Sequence, residues 1–554
     1  MPGSGAAMSE TMYADSLHRQ GIAALNAGQA DMAVAYIGKA IEARPGIAHY
    51  HYNLGNALIG RGSWPQAEAC YREAARLRPD FAQAHNNLGN LLRETGRLDE
   101  AEACLRAALR IAPDFAEAAI NLGACLVRLG RLGEAEECFR IALRLKPGLP
   151  EVHVNLGSVL SSLCRFDEAE AYFRAALCLN PNLPEAQSNL GSCLAKLGRF
   201  TEAEGYLLAA LSLNPNYALA HANLAFALLL EGRLEEGWPE HEWRWRIDDP
   251  WLLPRQFTQK QWDGEPIDGR VVLLHAEQGL GDTLQFCRYV KLVRTRGARI
   301  VLEVPRSLVR LLSTLDDIEQ LDDIEQIVAS GDPLPQFDLQ CPLMSLPRAF
   351  GTTLDTIPAG IPYLKADPEL IARWSERVAG LAGLRVGLVW AGGARPFQPT
   401  ANAIDRRRSI TLEHFAALAD LPGISFVSLQ KGEAARQTRM PPSGLVIHDW
   451  TGELDDFADT AALIENLDLV IGVDTSTVHL AGALGKPVWL LNRYDTCWRW
   501  LLEREDSPWY PSLRQFRQPK PGDWDSVLAS ARAALKHLTM ADRPARPAAE
   551  PARA

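Results

Sequence analysis

Six prolines in the first half of this chain lie 34 residues apart without interruption: Pro45, Pro79, Pro113, Pro147, Pro181 and Pro215. A constant period of this length is typical of helical hairpins that cannot bury their apolar faces alone and therefore stack on one another. The pattern predicts an α-solenoid in the first half. Because such solenoids usually hold another macromolecule, we expect any chemistry to lie in the second half.

Each period also repeats the same small residues. Asn-Leu-Gly begins at residues 53, 87, 121, 155 and 189 and becomes Asn223-Leu224-Ala225 in the last copy. Glycine fills the turn between the two helices, with Cys164 as the exception, and alanine stands where the second helix must approach the first. The turn glycines are Gly62, Gly96, Gly130, Gly198 and Gly232, and the alanines are Ala67, Ala101, Ala135, Ala169 and Ala203. These features are those of the tetratricopeptide (TPR) hairpin, and they predict a TPR superhelix of about seven repeats over residues 12–247.

Composition narrows the possible partners and location. The chain has 554 residues, of which 47% are hydrophobic and 23% charged, as in ordinary soluble proteins. A net charge of −11 argues against sequence-independent nucleic-acid binding, which needs a basic surface. The start lacks the apolar segment of a signal peptide, and no segment is long enough to span a membrane. We therefore expect a cytoplasmic protein with no membrane insertion, and we predict no metal or cofactor because no Cys/His cluster occurs.

After residue 269 short apolar segments alternate with helical ones, a pattern typical of doubly wound parallel sheets. The predicted strands are Val271–Leu274, Ile300–Val304, Val386–Trp390, Phe426–Leu429, Leu469–Val473 and Val488–Leu491. They form two groups, which predict an α/β region of two halves over residues 269–368 and 383–538. We expect residues 248–268 to be a linker and residues 541–554, rich in Pro, Ala and Arg, to be a disordered tail.

The loop after the first predicted strand, from His275 to Gln285, carries three titratable side chains. Its glycines permit a tight turn into a helix, and Asp282 can cap that helix. Ligands of doubly wound sheets bind beyond the carboxyl ends of the strands, where a general base is useful. The residues alone leave open whether Asp282, Glu277 or His275 is that base.

A second loop follows the strand that ends at Val473. Its small hydroxyl residues Thr475, Ser476 and Thr477 open a helix whose free N–H groups form an anion site suited to a diphosphate. Asp474 at the strand tip is placed to accept hydrogen bonds from sugar hydroxyls, and His479 lies just inside the helix. We therefore predict a sugar-nucleotide site here.

Further loops are predicted to border the same cleft. The glycines of Trp390-Ala391-Gly392-Gly393 let a ligand approach the backbone. Arg408, in a run of three arginines, could neutralise a departing diphosphate. Gln430 and Lys431 end another strand and could contact a nucleotide base.

The second half resembles glycosyltransferase family 9, whose heptosyltransferase-like members have the GT-B fold of two Rossmann-like halves. The segments that carry the resemblance begin at Glu277, Cys341, Gly387, Val473, Trp498 and Ser507, reading EQGLGD, CPLMSLP, GLVWAG, VDT, WRW and SPWYP. Together with the repeats they resemble a bacterial group that fuses TPRs to this domain. The resemblance implies inverting, metal-independent transfer of a hexosyl or heptosyl group from a nucleotide-diphospho-sugar. Asp282 matches the family's base, and residues 474–479 match its donor loop, with His479 as a second catalytic position.

One element departs from the family and one points to the acceptor. Arg407-Arg408-Ser409 replaces the Lys-Arg-Trp of heptosyltransferases, which puts ADP-heptose in doubt as the donor. The architecture is also similar to O-GlcNAc transferase and to repeat-bearing flagellin glycosyltransferases, which implies a protein acceptor. Six asparagines match the ladder with which O-GlcNAc transferase grips peptide backbone: Asn53, Asn87, Asn121, Asn155, Asn189 and Asn223.

Two alternatives remain open from the residues. A transferase could act on a glycan or lipid and use its repeats for assembly, because asparagine at this position can also bridge neighbouring repeats. A non-catalytic scaffold would have no nucleotide affinity at all.

Overall fold

The computed structural model describes residues 4–247, 255–267, 269–277, 279–315, 324–393 and 399–540. The first part of the predicted linker, 248–254, and the predicted tail, 541–554, lie outside the described residues. The chain falls into two compact units that divide between Cys193 and Leu194.

The N-terminal unit consists of stacked helical hairpins, as the period of 34 predicts. Helices of 13 and 14 residues alternate after the first, which is longer. They are α1 (Ser4–Asn26), α2 (Ala30–Ala43), α3 (Ala48–Gly60), α4 (Trp64–Leu77), α5 (Ala82–Glu94), α6 (Leu98–Ile111), α7 (Ala116–Arg128), α8 (Leu132–Leu145), α9 (Pro150–Ser162), α10 (Phe166–Leu179) and α11 (Pro184–Lys196), which runs into the second unit.

The repeated small residues explain how closely the helices of a hairpin pack. Ala67, Ala101, Ala135 and Ala169 are 0% exposed. A Cβ atom at Gly123 would come within 2.8 Å of the Phe139 ring, so the glycine of Asn-Leu-Gly admits the aromatic ring of the second helix. Small residues at these positions therefore allow the two helices of a hairpin to pack closely.

The turn between the helices requires a left-handed backbone. Gly96 has a φ of 81°, and Cys164 takes the equivalent position with a φ of 59°. A residue with a Cβ atom is strained in this conformation, so the fifth repeat carries a local cost that the others avoid.

Ion pairs on the second helices repeat with the same period. Arg97 pairs with Glu68 of the preceding repeat at 2.8 Å and with Glu100 of its own at 2.7 Å. Arg131 repeats the arrangement 34 residues later, with Glu102 at 2.7 Å and Glu134 at 2.6 Å. These exposed pairs are individually weak, but they link each repeat to its neighbour.

The second unit begins with three helices, α12 (Phe200–Leu213), α13 (Ala218–Glu231) and α14 (Leu234–His241), and the 3-10 helix Glu242–Arg246. A four-stranded parallel sheet follows, in the order β3-β2-β1-β4. Its elements are β1 (Val271–His275), α15 (Leu280–Phe286), α16 (Val290–Thr295), β2 (Arg299–Val304), α17 (Arg306–Leu312), β3 (Ile324–Ala329), β4 (Leu339–Pro342) and α18 (Leu346–Ala349). We call this sheet and its helices the first half.

The second half contains a six-stranded parallel sheet in the order β10-β9-β8-β5-β6-β7. Its elements are α19 (Pro368–Val378), β5 (Leu384–Val389), α20 (Pro399–Arg408), β6 (Ile424–Ser428), β7 (Ile447–His448), α21 (Phe457–Glu465), β8 (Leu469–Val473), α22 (Ser476–Ala483), β9 (Val488–Asn492), β10 (Leu513–Arg517) and α23 (Trp524–Met540). The two parallel sheets confirm the predicted α/β architecture and are consistent with a GT-B-type domain.

Parts of the predicted solenoid and linker pack on the first half. Trp262, inside the predicted linker, is 1% exposed, and its backbone N–H donates to the Gln340 carbonyl at 2.8 Å. Trp238 of α14 is 2% exposed and lies in the same apolar core as Trp262 and Leu274 of β1. The hairpin of α13 and α14 is therefore built into the α/β region. Among the described helices, none has the length and apolar character that crossing a membrane requires.

Candidate active site

The two halves meet where the helices that follow β1 and β8 pack together. Helix α15 follows β1, helix α22 follows β8, and the two helices are in contact. A Cβ atom at Gly281 of α15 would lie 2.8 Å from Cδ2 of His479, a residue of α22. The structure thus brings the two predicted catalytic positions, Asp282 and His479, to one cleft.

Asp282 stands at the beginning of α15 with both carboxylate oxygens engaged. Oδ2 accepts a hydrogen bond of 3.0 Å from the backbone N–H of Gly279, which caps the helix. Oδ1 accepts from Nη2 of Arg499, a residue of the second half. The carboxylate is half-buried and therefore open to the cleft.

The side chains of the other two candidates for the base are buried and paired with other residues. The Glu277 side chain is 3% exposed and receives two hydrogen bonds from Arg244, at 2.9 and 3.0 Å. Burial raises the pKa of Glu277, although Arg244 opposes that shift. His275 is 3% exposed, and its Nε2 lies 3.0 Å from Oε1 of Gln340. Burial also lowers the pKa of His275. Of the three candidate side chains, only that of Asp282 is partly exposed.

His479 is held on both ring nitrogens. Nδ1 lies 2.9 Å from the Tyr510 hydroxyl, and Nε2 lies 3.7 Å from Oδ1 of Asp474. The Trp500 ring stacks on the imidazole with a centroid separation of 5.3 Å. These contacts fix the ring against the donor loop.

Asp474 begins that loop at the tip of β8. Burial opposes its ionisation, but the hydrogen bond and charge of His479, with the charges of Arg408 and Arg493, hold the pKa of Asp474 well below its usual range. An ionised carboxylate at this point can accept hydrogen bonds only, as recognition of sugar hydroxyls requires.

Thr475 is the N-cap residue of α22, but its side chain does not cap the helix. The residue is 7% exposed, and its buried Oγ1 has no hydrogen-bond partner among the residues that the structure describes. Ser476 and Thr477 form the first turn of α22, where backbone N–H groups lack partners in the helix. A buried hydroxyl without a partner is costly, so it indicates a place for a ligand acceptor atom.

Arginines surround this helix start. Arg408 pairs with Asp405 at 2.8 Å, and Arg407 pairs with Asp495 at 2.9 Å. Arg493 lies 3.4 Å from the same Asp495 oxygen, and its buried Nε has no partner among the described residues. These three guanidinium groups face three carboxylates, those of Asp405, Asp495 and Asp474, so the formal charges around the helix start balance.

Four other predicted donor residues mainly shape the loops. The Trp390 ring is 0% exposed in the core of the second half, so only its backbone can border the cleft. Oε1 of Gln430 accepts from the backbone N–H groups of Trp390 and Ala391 at 2.9 and 2.8 Å, and its Nε2 donates to two carbonyls at 3.0 Å. Lys431 donates to the carbonyls of Thr451 and Leu454 at 2.8 and 2.6 Å.

Gly392 lies between this loop and the arginine run. Its backbone N–H donates to Oγ of Ser409 at 3.0 Å, and a Cβ atom here would collide with the Asp405 and Arg408 side chains. The glycine therefore lets Arg408 approach the backbone.

Three residues near these groups, Arg499, Tyr510 and Arg493, were not predicted from the sequence. Two of them stand in Trp498-Arg499-Trp500 and Ser507-Pro508-Trp509-Tyr510-Pro511, which carried the family resemblance only. The third directly follows β9. Tryptophan pairs around one arginine were the signal that could have found the first.

The last hairpin supports this segment from outside the cleft. The Trp238 ring packs edge-on against Trp498 with a centroid separation of 5.4 Å. Its Nε1 donates to the Thr352 carbonyl at 2.8 Å. Arg244, in the 3-10 helix after α14, also donates to Ser345 Oγ at 2.8 Å. The predicted solenoid end therefore contacts Glu277 in the loop after β1 and Trp498 in the segment after β9.

The predicted asparagine ladder makes bonds between repeats. In the N-terminal unit Asn53, Asn87, Asn121, Asn155 and Asn189 are half-buried, and Asn223 is half-buried in α13 of the second unit. Four of them donate through the amide nitrogen to a side chain of the preceding repeat. The amide oxygen of Asn87 also accepts from Nδ2 of Asn86 at 3.2 Å, so the amide oxygen stays available as an acceptor in the other three. The bonds run from Asn53 to His18 (2.9 Å), from Asn87 to Asn56 (3.0 Å), from Asn121 to Asn86 (2.9 Å) and from Asn189 to Ser158 (3.3 Å).

Two known families match this chain, one in the repeats and one in the α/β region. Residues 431–509 match Glycosyltransferase family 9 (heptosyltransferase), and this range contains Asp474, Thr475, His479 and Arg499. Residues 5–226 match the Cilia and flagella-associated protein 70 C-terminal domain, a TPR-type family.

Protein FlbA of Caulobacter vibrioides is similar to this chain, with 28% identity over 324 residues. The match covers 55% of this chain and 52% of FlbA, so it spans about half the length of that relative. Among solved structures, PilF of Pseudomonas aeruginosa has 22% identity and a TM-score of 0.36, covering 38% of this chain and 96% of its own. The TPR protein YrrB has 27% identity and a TM-score of 0.30, covering 33% of this chain and 95% of its own. The sequence matches support a glycosyltransferase that carries TPR-type repeats.

Proposed function

We propose that this chain, in which a TPR-like region precedes a glycosyltransferase family 9 match, transfers a sugar from a nucleotide-diphospho-sugar to a protein with inversion. The observation that carries the proposal is the pairing of two sites across one cleft. Asp282 of the first half pairs with Arg499, whose charge also reaches Asp474 at the start of α22. There the Thr475 hydroxyl is buried and has no partner among the described residues.

The donor's diphosphate binds at the start of α22. Unpaired N–H groups of the first helical turn, the Thr475 hydroxyl and the charges of Arg408 and Arg493 all favour an anion there. Asp474, kept ionised by its neighbours, accepts hydrogen bonds from the sugar. His479 bridges Asp474 and Tyr510, so it orients the carboxylate.

In the proposed transfer, the base belongs to the first half and the leaving diphosphate is bound by the second half. Asp282 takes the proton of the acceptor hydroxyl, and that oxygen forms a bond to the anomeric carbon. The bond from this carbon to the diphosphate oxygen breaks on the opposite side, which inverts the configuration. The nucleoside diphosphate leaves with its negative charge stabilised by the helix start and the arginines.

A protein acceptor is supported by the asparagines of the repeats. The amide nitrogens of Asn53, Asn121 and Asn189 are used between repeats, so each amide oxygen is oriented and can accept from a peptide N–H. Asn155 makes no side-chain hydrogen bond to any residue that the structure describes, so both ends of its amide can bind a peptide. A series of such amides suits an extended backbone of varied sequence.

Calorimetric titration of the full chain with UDP, GDP, ADP and CMP, and then with their common sugars, tests the donor site. We expect one nucleotide to bind, and Asp474→Ala to weaken the binding of its sugar form. Asp525→Ala, on the exposed start of α23, is the matched control and should change nothing. Absence of binding by every nucleotide would contradict the proposal and leave the scaffold as the function.

The acceptor class needs a second experiment. The radiolabelled form of the donor found above is added with the full chain to a cell extract, and label is measured in protease-sensitive and in solvent-extractable fractions. Protein transfer predicts label that protease releases, and its loss in the Asn121→Ala/Asn155→Ala variant with donor binding intact. Label in the lipid or glycan fraction, unaffected by these substitutions, would favour the assembly role for the repeats.

A further inference from the structure

Arg499 lies between the proposed base and the donor loop. It belongs to the 3-10 helix Trp498–Trp500 and is 8% exposed. Trp500 is 0% exposed and stacks on His479, while Trp498 is 6% exposed and packs on Trp238. The two tryptophans anchor the backbone of this segment, so only the long side chain between them can move.

The guanidinium of Arg499 is only partly used by the protein. Nε donates to Oε1 of Gln285 at 2.7 Å, Nη1 donates to Sγ of Cys497 at 3.1 Å, and Nη2 donates to Asp282. A guanidinium has five N–H donors, so two remain without a partner among the residues that the structure describes. Cys497 is a weak acceptor, which leaves most of one edge available to an anion.

The charge of Arg499 also reaches the donor loop. Burial opposes its protonation, yet Asp282 and, more weakly, Asp474 raise the pKa of the guanidinium. Asp474 immediately precedes Thr475 and the anion-binding start of α22. Arg499 therefore lies between a carboxylate that it already holds and a site suited to a diphosphate.

A carboxylate that shares its charge with a guanidinium attracts the proton of a hydroxyl less strongly than an unpaired carboxylate. Asp282 accepts from the Gly279 backbone and from Arg499, and only the second of these partners is a mobile side chain. A diphosphate carries more charge than a carboxylate and binds arginine in the same forked geometry, so it can compete for the guanidinium.

We propose that Arg499 exchanges partners during the reaction, pairing with Asp282 before the donor binds and with the donor's diphosphate afterwards. This inference rests on the proposed function and adds to it the order in which the two substrates bind. Binding of the donor frees Asp282 to take the acceptor proton, so the donor binds before the acceptor. Without the donor, Asp282 stays paired with Arg499. The same arginine then stabilises the diphosphate as it leaves.

Titration of the full chain with inorganic pyrophosphate and with the nucleoside diphosphate that binds tests the exchange. Arg499→Met should weaken binding by about tenfold or more, because a charge-assisted donor is lost. Asp282→Asn should strengthen binding by about threefold or more, because the anion no longer competes with a carboxylate. In the double variant the gain from Asp282→Asn should vanish, since it acts through Arg499.

Two further variants serve as controls for these titrations. Arg514→Met, which removes an exposed pair with Glu505 on β10, should leave both affinities unchanged. Arg499→Lys keeps the charge and should bind pyrophosphate more tightly than Arg499→Met. Circular dichroism checks the fold, and if Arg499→Met does not fold, the Asp282→Asn comparison alone decides.

Equal or weaker diphosphate binding by Asp282→Asn would overturn the exchange and make the Asp282–Arg499 pair a fixed structural contact. That result would leave the proposed function standing, because the wild-type chain still binds the nucleotide. Absence of diphosphate binding by the wild-type chain would instead remove the proposed function, and the exchange with it.

Discussion

The imidazole of His479 lies against Gly281, and no side chain separates the helices that meet there. A Cβ atom at position 281 would come 2.8 Å from Cδ2 and 3.3 Å from Nε2 of the ring. Because His479 is held by Tyr510 and Asp474, it cannot retreat without disturbing the donor loop. The absence of a side chain at Gly281 thus allows the proposed base, Asp282, and the proposed donor loop, residues 474–479, to lie close together.

We predict that Gly281→Ala lowers turnover by about tenfold or more, because a misplacement of less than 1 Å at a reacting centre is costly. The variant should fold, since the clash involves one ring. Gly205→Ala is the matched control: Gly205 is in α12, where a Cβ atom would have nothing within 4 Å. Wild-type turnover by Gly281→Ala, measured beside that control, would show that the two halves tolerate separation.

Asp282→Asn should lower the transfer rate by roughly a hundred- to ten-thousandfold, the usual contribution of a general base. Donor affinity should not fall, because the diphosphate site is on the other half. Rapid-quench measurement of one turnover separates the chemical step from binding. Asp263→Asn, an exposed carboxylate before the first sheet, is the control. A parallel loss of rate and donor affinity would contradict the assignment of the base.

The sequence was most informative where both faces of a strand are buried. All six predicted strands are present and parallel, because near-continuous apolar segments such as Leu469–Val473 suit a strand covered on both faces. The edge strand β10 was missed because three of the five residues of Leu513–Arg517 are polar. The two-residue strand β7 is too short to give any pattern.

For the site, the sequence predicted Asp282 and Asp474 as candidates because strand ends are where ligands bind in such sheets. It could not distinguish Asp282 from Glu277 as the candidate base. The residue that pairs with the Glu277 carboxylate is Arg244, which lies 33 residues earlier in a different element. Nor could it find the contact of Arg499 with Asp282, which are 217 positions apart. Long-range pairing of this kind leaves no periodic pattern in a single chain.

Arg244→Met should destabilise the second unit by about 3–5 kcal/mol, because it leaves the Glu277 carboxylate buried without its counterion. Arg244→Met/Glu277→Met should recover much of that loss. Tryptophan fluorescence during thermal unfolding can measure both, since all but Trp64 of the 14 tryptophans lie in the second unit. If the double variant is no more stable than the single one, the pair is not the source of the effect.

Cys164→Gly should stabilise the N-terminal unit by about 1 kcal/mol, because the φ of 59° at this turn costs a residue with a side chain. Gly96→Cys places the same strain at an equivalent turn, where a Cβ atom has no neighbour within 4 Å, and should destabilise to a similar extent. Amide exchange in α9 and α10 reports the first change and exchange in α5 and α6 the second. Opposite signs are expected, and equal signs would refute the explanation by backbone strain.

His18 should make the first hairpin sensitive to mild acid. Burial, with the nearby charge of His49, lowers the pKa of His18 to about 4, whereas the unfolded chain titrates near 6.5. The folded state therefore binds fewer protons between these values, so stability present above pH 6.5 is lost as the pH falls toward 4, by up to about 3 kcal/mol. Amide exchange in α1–α3, corrected for intrinsic rates, should show less protection at pH 5 than at pH 7.5. His18→Gln should remove most of this difference.

The interface that buries Trp238 and Arg244 has a consequence for how such proteins can evolve and be re-engineered. A repeat whose contacts recur every 34 residues can be duplicated or lost, because its copies offer identical neighbours. The hairpin of α13 and α14 has no such freedom, since duplicating it would not duplicate the surface it contacts. Lineages should therefore vary in repeat number upstream while keeping this hairpin, and a chimera that exchanges arms should be joined before α13 rather than at the proline-rich segment that follows it.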